Sequence, residues 1–90
     1  MVTVRIPTTL RPLTGGAATV QVAPGSLADV IAGLDAAHPG LQDRLVDDEG
    51  NLRRFVNVFV DDDDVRYLDG LETKVPDGQT VSIIPAVAGG

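Results

Sequence analysis

Alternation with period two opens the chain. In VTVRI, Val2, Val4 and Ile6 fall on one face and Thr3 and Arg5 on the other, the pattern of a half-buried strand. Pro7 ends it, because proline has no N–H to give to a ladder. LRPLTGG, residues 10–16, carries Pro12 and the pair Gly15-Gly16 and reads as a turn. Alternation resumes in ATVQV, with Val20 and Val22 inward and Thr19 and Gln21 outward, so the first two strands make a hairpin. Then the period changes. After Pro24-Gly25, the residues Leu27, Val30, Ile31 and Leu34 follow i, i+3, i+4 and i+7, one stripe of a helix. Ser26 stands at the N-cap position, and Asp29 three residues on suits both a capping box and the positive helix end. His38-Pro39-Gly40 stops the helix, and Leu41 to Leu45 holds one more short helical turn before a polar loop.

The strongest strand pattern is FVNVFV, residues 55–60. Val56, Val58 and Val60 share one face, and Phe55, Asn57 and Phe59 the other. Asp61 to Asp64 turn the chain, and VRYL, residues 65–68, returns as a short strand. Pro76-Asp77-Gly78 turns into a last strand, from Thr80 to about Ile84. One helix cannot cover two sheets, so a single mixed sheet with one face on the helix is the economical arrangement. The predicted class is α+β, a β-grasp with a mixed sheet of four to five strands packed on one main helix. Its first and last strands pair at the centre. Residues 1–84 form the domain, and residues 85–90 a flexible C-terminal tail ending in Gly-Gly.

Composition narrows the function classes. Ninety residues make one domain with one modest core, since folding at this size buries only about 60–65% of the unfolded surface. Hydrophobic residues at 43% and charged residues at 22% fit a globular rather than a disordered chain. A formal net charge of -6, with no basic run beyond Arg53-Arg54, argues against nucleic acid and anionic membranes and favours a partner with a positive groove. Phe55, Phe59 and Tyr67 are too few for a base-stacking platform. No apolar run approaches the ~18–20 residues of a membrane span, and no leader pattern opens the chain, so a cytoplasmic protein is expected. The chain has no cysteine, hence no disulfide, thiolate metal site or cysteine nucleophile.

Several side chains invite a chemical reading. Asp61 to Asp64 lack the spaced ligands and the glycine of a calcium loop, and four like charges at a hairpin tip read as a solvated turn. His38, before Pro39, reads as a helix-end residue rather than a ligand or base. Lys74 is the only lysine. Alternation puts Phe59 and Ile84 on the sheet face away from the helix, where exposed apolar residues mark a partner surface. Thr3, Arg5 and Arg66 rim that patch.

The stretch VNVFVDDDDVRYLDGLETKVPDGQTVSIIPAVAGG resembles the C-terminal half of ubiquitin-like sulfur carriers of the ThiS/MoaD type. Their pattern is met by Asn57, Val65, Asp77, Gly78, Val81, Ile83, Ile84, Pro85, Gly89 and Gly90 in order, and the TLRPLTGG loop and the helix fit the other half. Within that family the wording of RFVNVFV, RYLDGL and PAVAGG is closest to carriers used in cysteine synthesis. The resemblance implies a protein co-substrate and not an enzyme. Its terminal carboxylate would be adenylated with ATP by an E1-like adenylyltransferase/sulfurtransferase and converted with a sulfur donor to a thiocarboxylate. In a cysteine pathway that sulfur would attack an aminoacrylate on a pyridoxal-phosphate cysteine synthase, and a JAMM-type metalloprotease would release the product. No cofactor is bound by the carrier itself. Other outcomes stay open: a pterin acceptor as in MoaD, a thiazole acceptor as in ThiS, a ubiquitin-like modifier forming isopeptide bonds, or a plain interaction domain.

The tail fits this chemistry physically. No charged side chain follows Asp77. A carboxylate activated inside another protein's pocket must be threaded there, and six residues from Pro85 to Gly90 reach about 20 Å at ~3.3 Å each. Val87, Ala88 and Gly89 are small enough to thread, and glycine allows close backbone approach. Without cysteine, the carboxyl of Gly90 is the only plausible place for carried sulfur.

Overall fold

The computed structural model describes residues 1–53 and 56–85. β1 (Val2–Arg5) and β2 (Thr19–Val22) form the expected antiparallel hairpin, in register from Val2↔Val22 to Arg5↔Thr19. Their connection is more than a turn: Thr8–Thr14 winds into a 3-10 helix, ended by Gly15 in a left-handed conformation at φ 66°. A two-residue strand, β3 (Gly25–Ser26), leads into helix α1 (Leu27–Ala37), and the short α2 (Leu41–Leu45) follows. β4 (Val56–Val60), β5 (Asp63–Asp64), two single 3-10 turns, β6 (Lys74–Val75) and β7 (Thr80–Pro85) complete the order.

Five strands make one mixed sheet in the order β2-β1-β7-β4-β5, with β1 and β7 parallel at its centre. This is the β-grasp arrangement. β3 and β6 add a small antiparallel ribbon, Gly25↔Val75 and Ser26↔Lys74, that the polar pattern of those segments did not distinguish from loops. The inner sheet face, with Val2, Val4, Val58, Val81 and Ile83, packs on the helix stripe of Leu27, Val30, Ile31 and Leu34; all are buried. Leu41 and Leu45 of α2 close the same core.

Three of the donors at the start of α1 find partners outside the helical ladder. The Ser26 hydroxyl accepts the Asp29 N–H at 3.2 Å and the Asp29 carboxylate accepts the Ser26 N–H at 3.1 Å, the reciprocal capping box the sequence predicts. The Leu27 N–H, another donor without a helical partner, goes to the Thr73 carbonyl at 2.8 Å. Gly25 is part of this device. A Cβ there would lie 2.9 Å from the Asp29 carboxylate, so only glycine leaves room for it.

Two strand limits differ from the sequence reading. The return strand after β4 is Asp63–Asp64, paired Val60↔Asp63 and Phe59↔Asp64, and Val65–Tyr67 turns away as a 3-10 turn instead of forming the expected strand VRYL. Asp61 explains the early reversal. It adopts a left-handed φ of 54°, donates its N–H to the Thr80 carbonyl at 2.7 Å and accepts the Thr80 N–H on its carboxylate at 3.1 Å. Asp64 then accepts the Arg66 N–H at 2.8 Å, which caps the following turn.

β7 runs to Pro85, opposite Val56, one residue past the expected end. The Asp61–Thr80 bond fixes the hydrogen-bonded pairs as 61/80, 59/82 and 57/84. Pair 56/85 falls between bonded pairs, so the missing proline N–H is not needed by β4. Phe55, expected to begin the strand, lies outside the described residues, as does the predicted tail from residue 86 onward.

Removing the N-cap hydroxyl by Ser26→Ala should lower the unfolding free energy by about 1 kcal/mol. Gly25→Ala should cost at least as much, because the added methyl displaces the Asp29 carboxylate from the same box. Urea unfolding of the two variants and their double mutant checks this, and strongly sub-additive losses are expected because both act on one device.

Candidate functional site at the open sheet face

The face of the sheet away from α1 carries no covering element among the described residues, and the register fixes its pattern. Across its middle run Thr19, Arg5, Ser82, Phe59 and Asp64 on successive strands; nearer the end of β7 stand Ile84 and Asn57. Phe59 and Ile84 are diagonal neighbours there, within reach of each other's side chains. Ile84 is 49% exposed and Phe59 half-buried, so the apolar patch expected from alternation exists and is centred on Ile84. Arg5, opposite Ser82, lies beside it on β1, whereas Thr3, expected at the rim, stands opposite Thr80, four residues down β7 from Ile84.

Arg66 has a different place from the loose rim position the sequence suggested. Its guanidinium donates to the Asn57 side-chain oxygen at 2.8 Å, the Val56 carbonyl at 2.9 Å and the Arg53 carbonyl at 3.2 Å. The reason lies in β5, which is only two residues long. Beyond Asp64 no backbone continues along the outer edge of β4, and the Val56 carbonyl, which points away from β7, meets the guanidinium instead of a strand. Arg66 thus closes the edge of the sheet at the end from which residues 86–90 continue. This role follows from geometry alone; the sequence signal, one arginine two residues after an acidic turn, does not announce it.

The other candidates settle simply. Asp61 and Asp64 serve the hairpin, and among the described residues no group of three His, Asp or Glu is placed to hold a metal ion. His38 ends α1, its N–H donating to the Leu34 carbonyl at 2.7 Å. Lys74 is an exposed residue of the β3–β6 ribbon. Val87, Ala88, Gly89 and Gly90 lie outside the described residues. No helix among the described residues is long and apolar enough to cross a membrane.

Arg11 is the residue that sequence reading missed. It belongs to the 3-10 segment, donates through Nε to the Ile6 carbonyl at 3.3 Å, and shares a groove with Arg5, Ile83 and Ile84. Nothing in LRPLTGG as a string marks it, since its position depends on how the β1–β2 connection folds back.

The model of the ThiS family matches residues 4–90, almost the full sequence, including the terminal Gly-Gly. The chain belongs to the ThiS family. The sulfur carrier protein CysO of Mycobacterium tuberculosis is 50% identical over 91 residues, which span 99% of this chain and 98% of that protein. The small archaeal modifier protein 3 of Haloferax volcanii is 42% identical over 65 residues, covering 72% of this chain and 70% of its own length. In three dimensions, the crystal structure of the BexX/CysO complex from Amycolatopsis orientalis contains a chain that superposes with a TM-score of 0.94 at 48% identity, each chain covered completely.

Replacing Arg66 by Ala should lower the unfolding free energy by about 1–2 kcal/mol, the low end for charge-assisted bonds because the side chain is exposed. Arg66→Lys should recover only part of it, since one ammonium cannot bridge three separated acceptors. Amide exchange at Val56 and Asn57 should quicken in both variants, more in Arg66→Ala; unchanged exchange there would remove the edge-closing role.

Proposed function

We propose that this protein is a sulfur carrier acting through the carboxylate of Gly90, with a β-grasp body that runs to Pro85, one residue past the expected limit, and residues 86–90 as the segment threaded into partners. The observation that carries the reading is the full-length match to the ThiS family and to CysO, through the terminal Gly-Gly. The cysteine-free sequence supports it, because no thiol in the chain competes as a sulfur site. So does the open face beside β7, an apolar patch bordered by arginine at the root of the segment. In this reading Val87, Ala88 and Gly89 thread, and Phe59, Ile84, Arg5 and Arg66 form or brace the docking face.

The chemistry is stepwise and supplied by partners. An E1-like enzyme uses ATP to convert the Gly90 carboxylate to an acyl-adenylate, releasing pyrophosphate. A hydrosulfide-level donor attacks the carbonyl carbon, the C–O bond to AMP breaks, and a thiocarboxylate, AMP and a proton result. This chain contributes geometry, as a co-substrate and not a catalyst, and binds no cofactor itself. Similarity to CysO favours cysteine as the destination, with a pyridoxal-phosphate cysteine synthase as acceptor and a JAMM-type metalloprotease for release, in the cytoplasm. Similarity to the small archaeal modifier protein 3 favours a second reading, isopeptide attachment to lysines of other proteins.

Incubation with an adenylating partner, ATP and sulfide should add the mass of one sulfur less one oxygen, confined to the C-terminal fragment and absent from Met1-containing fragments. The product should react once with a thiol alkylating reagent, and a chain lacking Gly90 should do neither. An unmodified, unalkylated Gly90 after incubation with a partner shown to adenylate the chain rules out the carrier reading. Lysine-linked conjugates in place of the thiocarboxylate would establish the modifier reading.

A further inference from the structure

Beside the end of β7 the sheet has a notch. β1 pairs with β7 only as far as Arg5↔Ser82, whereas β4 stays paired as far as Val56↔Pro85. Over Ile83–Pro85, β7 therefore has a strand on one side only. The cause is Pro7. The Thr3 N–H donates to the Gln79 carbonyl at 3.1 Å, and stepping four residues along both parallel strands brings the Ile83 carbonyl to residue 7, which has no N–H to give. The chain instead turns into the 3-10 segment Thr8–Thr14, which folds back as the far wall of a groove.

The groove holds about 490 Å³ and is open along its length, which suits a passing chain better than an enclosed small molecule. Its charge is opposite to that of the whole protein. The net charge is -6, yet the groove is lined by Arg5 and Arg11, with the hydroxyls of Thr8 and Thr9, and by no Asp or Glu. Among the described residues no carboxylate pairs with either arginine; Arg11 uses only Nε, on the Ile6 carbonyl. In an acidic protein, a groove that two arginines line and no carboxylate of the described residues enters is a surface suited to negative charge.

We propose that this notch receives an extended, acidic segment of a partner protein, which adds as a strand beside Ile83–Pro85. Its N–H groups would take the place of the donor that Pro7 cannot supply, and a carboxylate on its outward side would meet Arg5 and Arg11. The proposal rests on the carrier reading only in taking the partner to be a protein that also receives residues 86–90. Net charge alone favoured a partner with a positive groove; the local surface selects a negative one.

The test uses the full chain, isotopically labelled, and a short synthetic peptide alternating Glu and Val, followed by amide chemical shifts. Shifts should concentrate at Arg5, Arg11, Ile83 and Ile84, and a peptide alternating Lys and Val should produce none. Of two peptides N-methylated on alternate residues, the one whose donor edge faces β7 should lose binding and the other keep it. The double variant Arg5→Glu with Arg11→Glu should bind at least about tenfold more weakly while its amide spectrum away from the groove keeps the shifts of the folded parent chain. Equal binding of the Lys peptide, tolerance of N-methylation on both edges, the same shifts from acetate alone, or no shifts in the groove would overturn the proposal. Concentration-dependent self-association through the groove would overturn it too, by making a second copy the occupant. Neither ATP nor an adenylating enzyme is present, so failure here leaves the carrier reading standing, and an unmodified Gly90 leaves this result standing.

Discussion

β1 and β7 run parallel through the centre of the sheet, Val4 beside Val81, although they come from the two ends of the chain. A parallel pair cannot be closed by a tight turn, so everything between must serve as its crossover. The helix, its capping box and the second half of the sheet are all packed against this pair. Val2, Val4, Val81 and Ile83 form the inner floor on which Leu27, Val30, Ile31 and Leu34 sit. Most of the pairing is between residues far apart in sequence, and its closure entropy is met only when the helix is in place to bury the floor.

The same pair decides where function can reside. β7 is held on both sides as far as Ser82 and on one side to Pro85, so the chain leaves the body from a rigid, central strand rather than from a frayed edge. Two devices shape that exit. On the β4 side, Arg66 substitutes for a strand that β5 is too short to provide. On the β1 side no described residue takes the place of the donor that Pro7 lacks, and the notch with Arg5 and Arg11 results. One side is closed by a guanidinium and the other left open with two of them in its walls. In the carrier reading proposed above, this asymmetry would give residues 86–90 a defined root and an adjoining surface by which a partner can be told from others.

Much of this was legible beforehand, and the reasons are local. Alternation found β1, β2, β4 and β7 because each has one face buried and one exposed, and the helix stripe and Ser26–Asp29 box were read from spacing alone. Phe59 and Ile84 were assigned to one face by the same counting. What failed was short-range and polar. VRYL looked like a strand because two apolar residues flank polar ones, but Asp61's left-handed turn had already spent the reversal, leaving Val65 to turn inward. Arg66 looked like a rim residue because a string cannot show which carbonyls lack donors. Arg11 was invisible because its neighbours in the groove come from β1 and β7, distant in sequence.

By itself, then, the sequence determined β1, β2, β4, β7 and α1, their buried faces, the cap and the absence of any thiol, since these depend on spacing and composition within a dozen residues. It also carried the ordered pattern from Asn57 to Gly90 that marks the family. Only the tertiary structure decided the sign of the surface around the end of β7 and the closure of the β4 edge. Both depend on which strands run out first, Pro7 stopping β1 and the turn capped by Asp64 ending β5, and on what side chains then meet the backbone groups left behind.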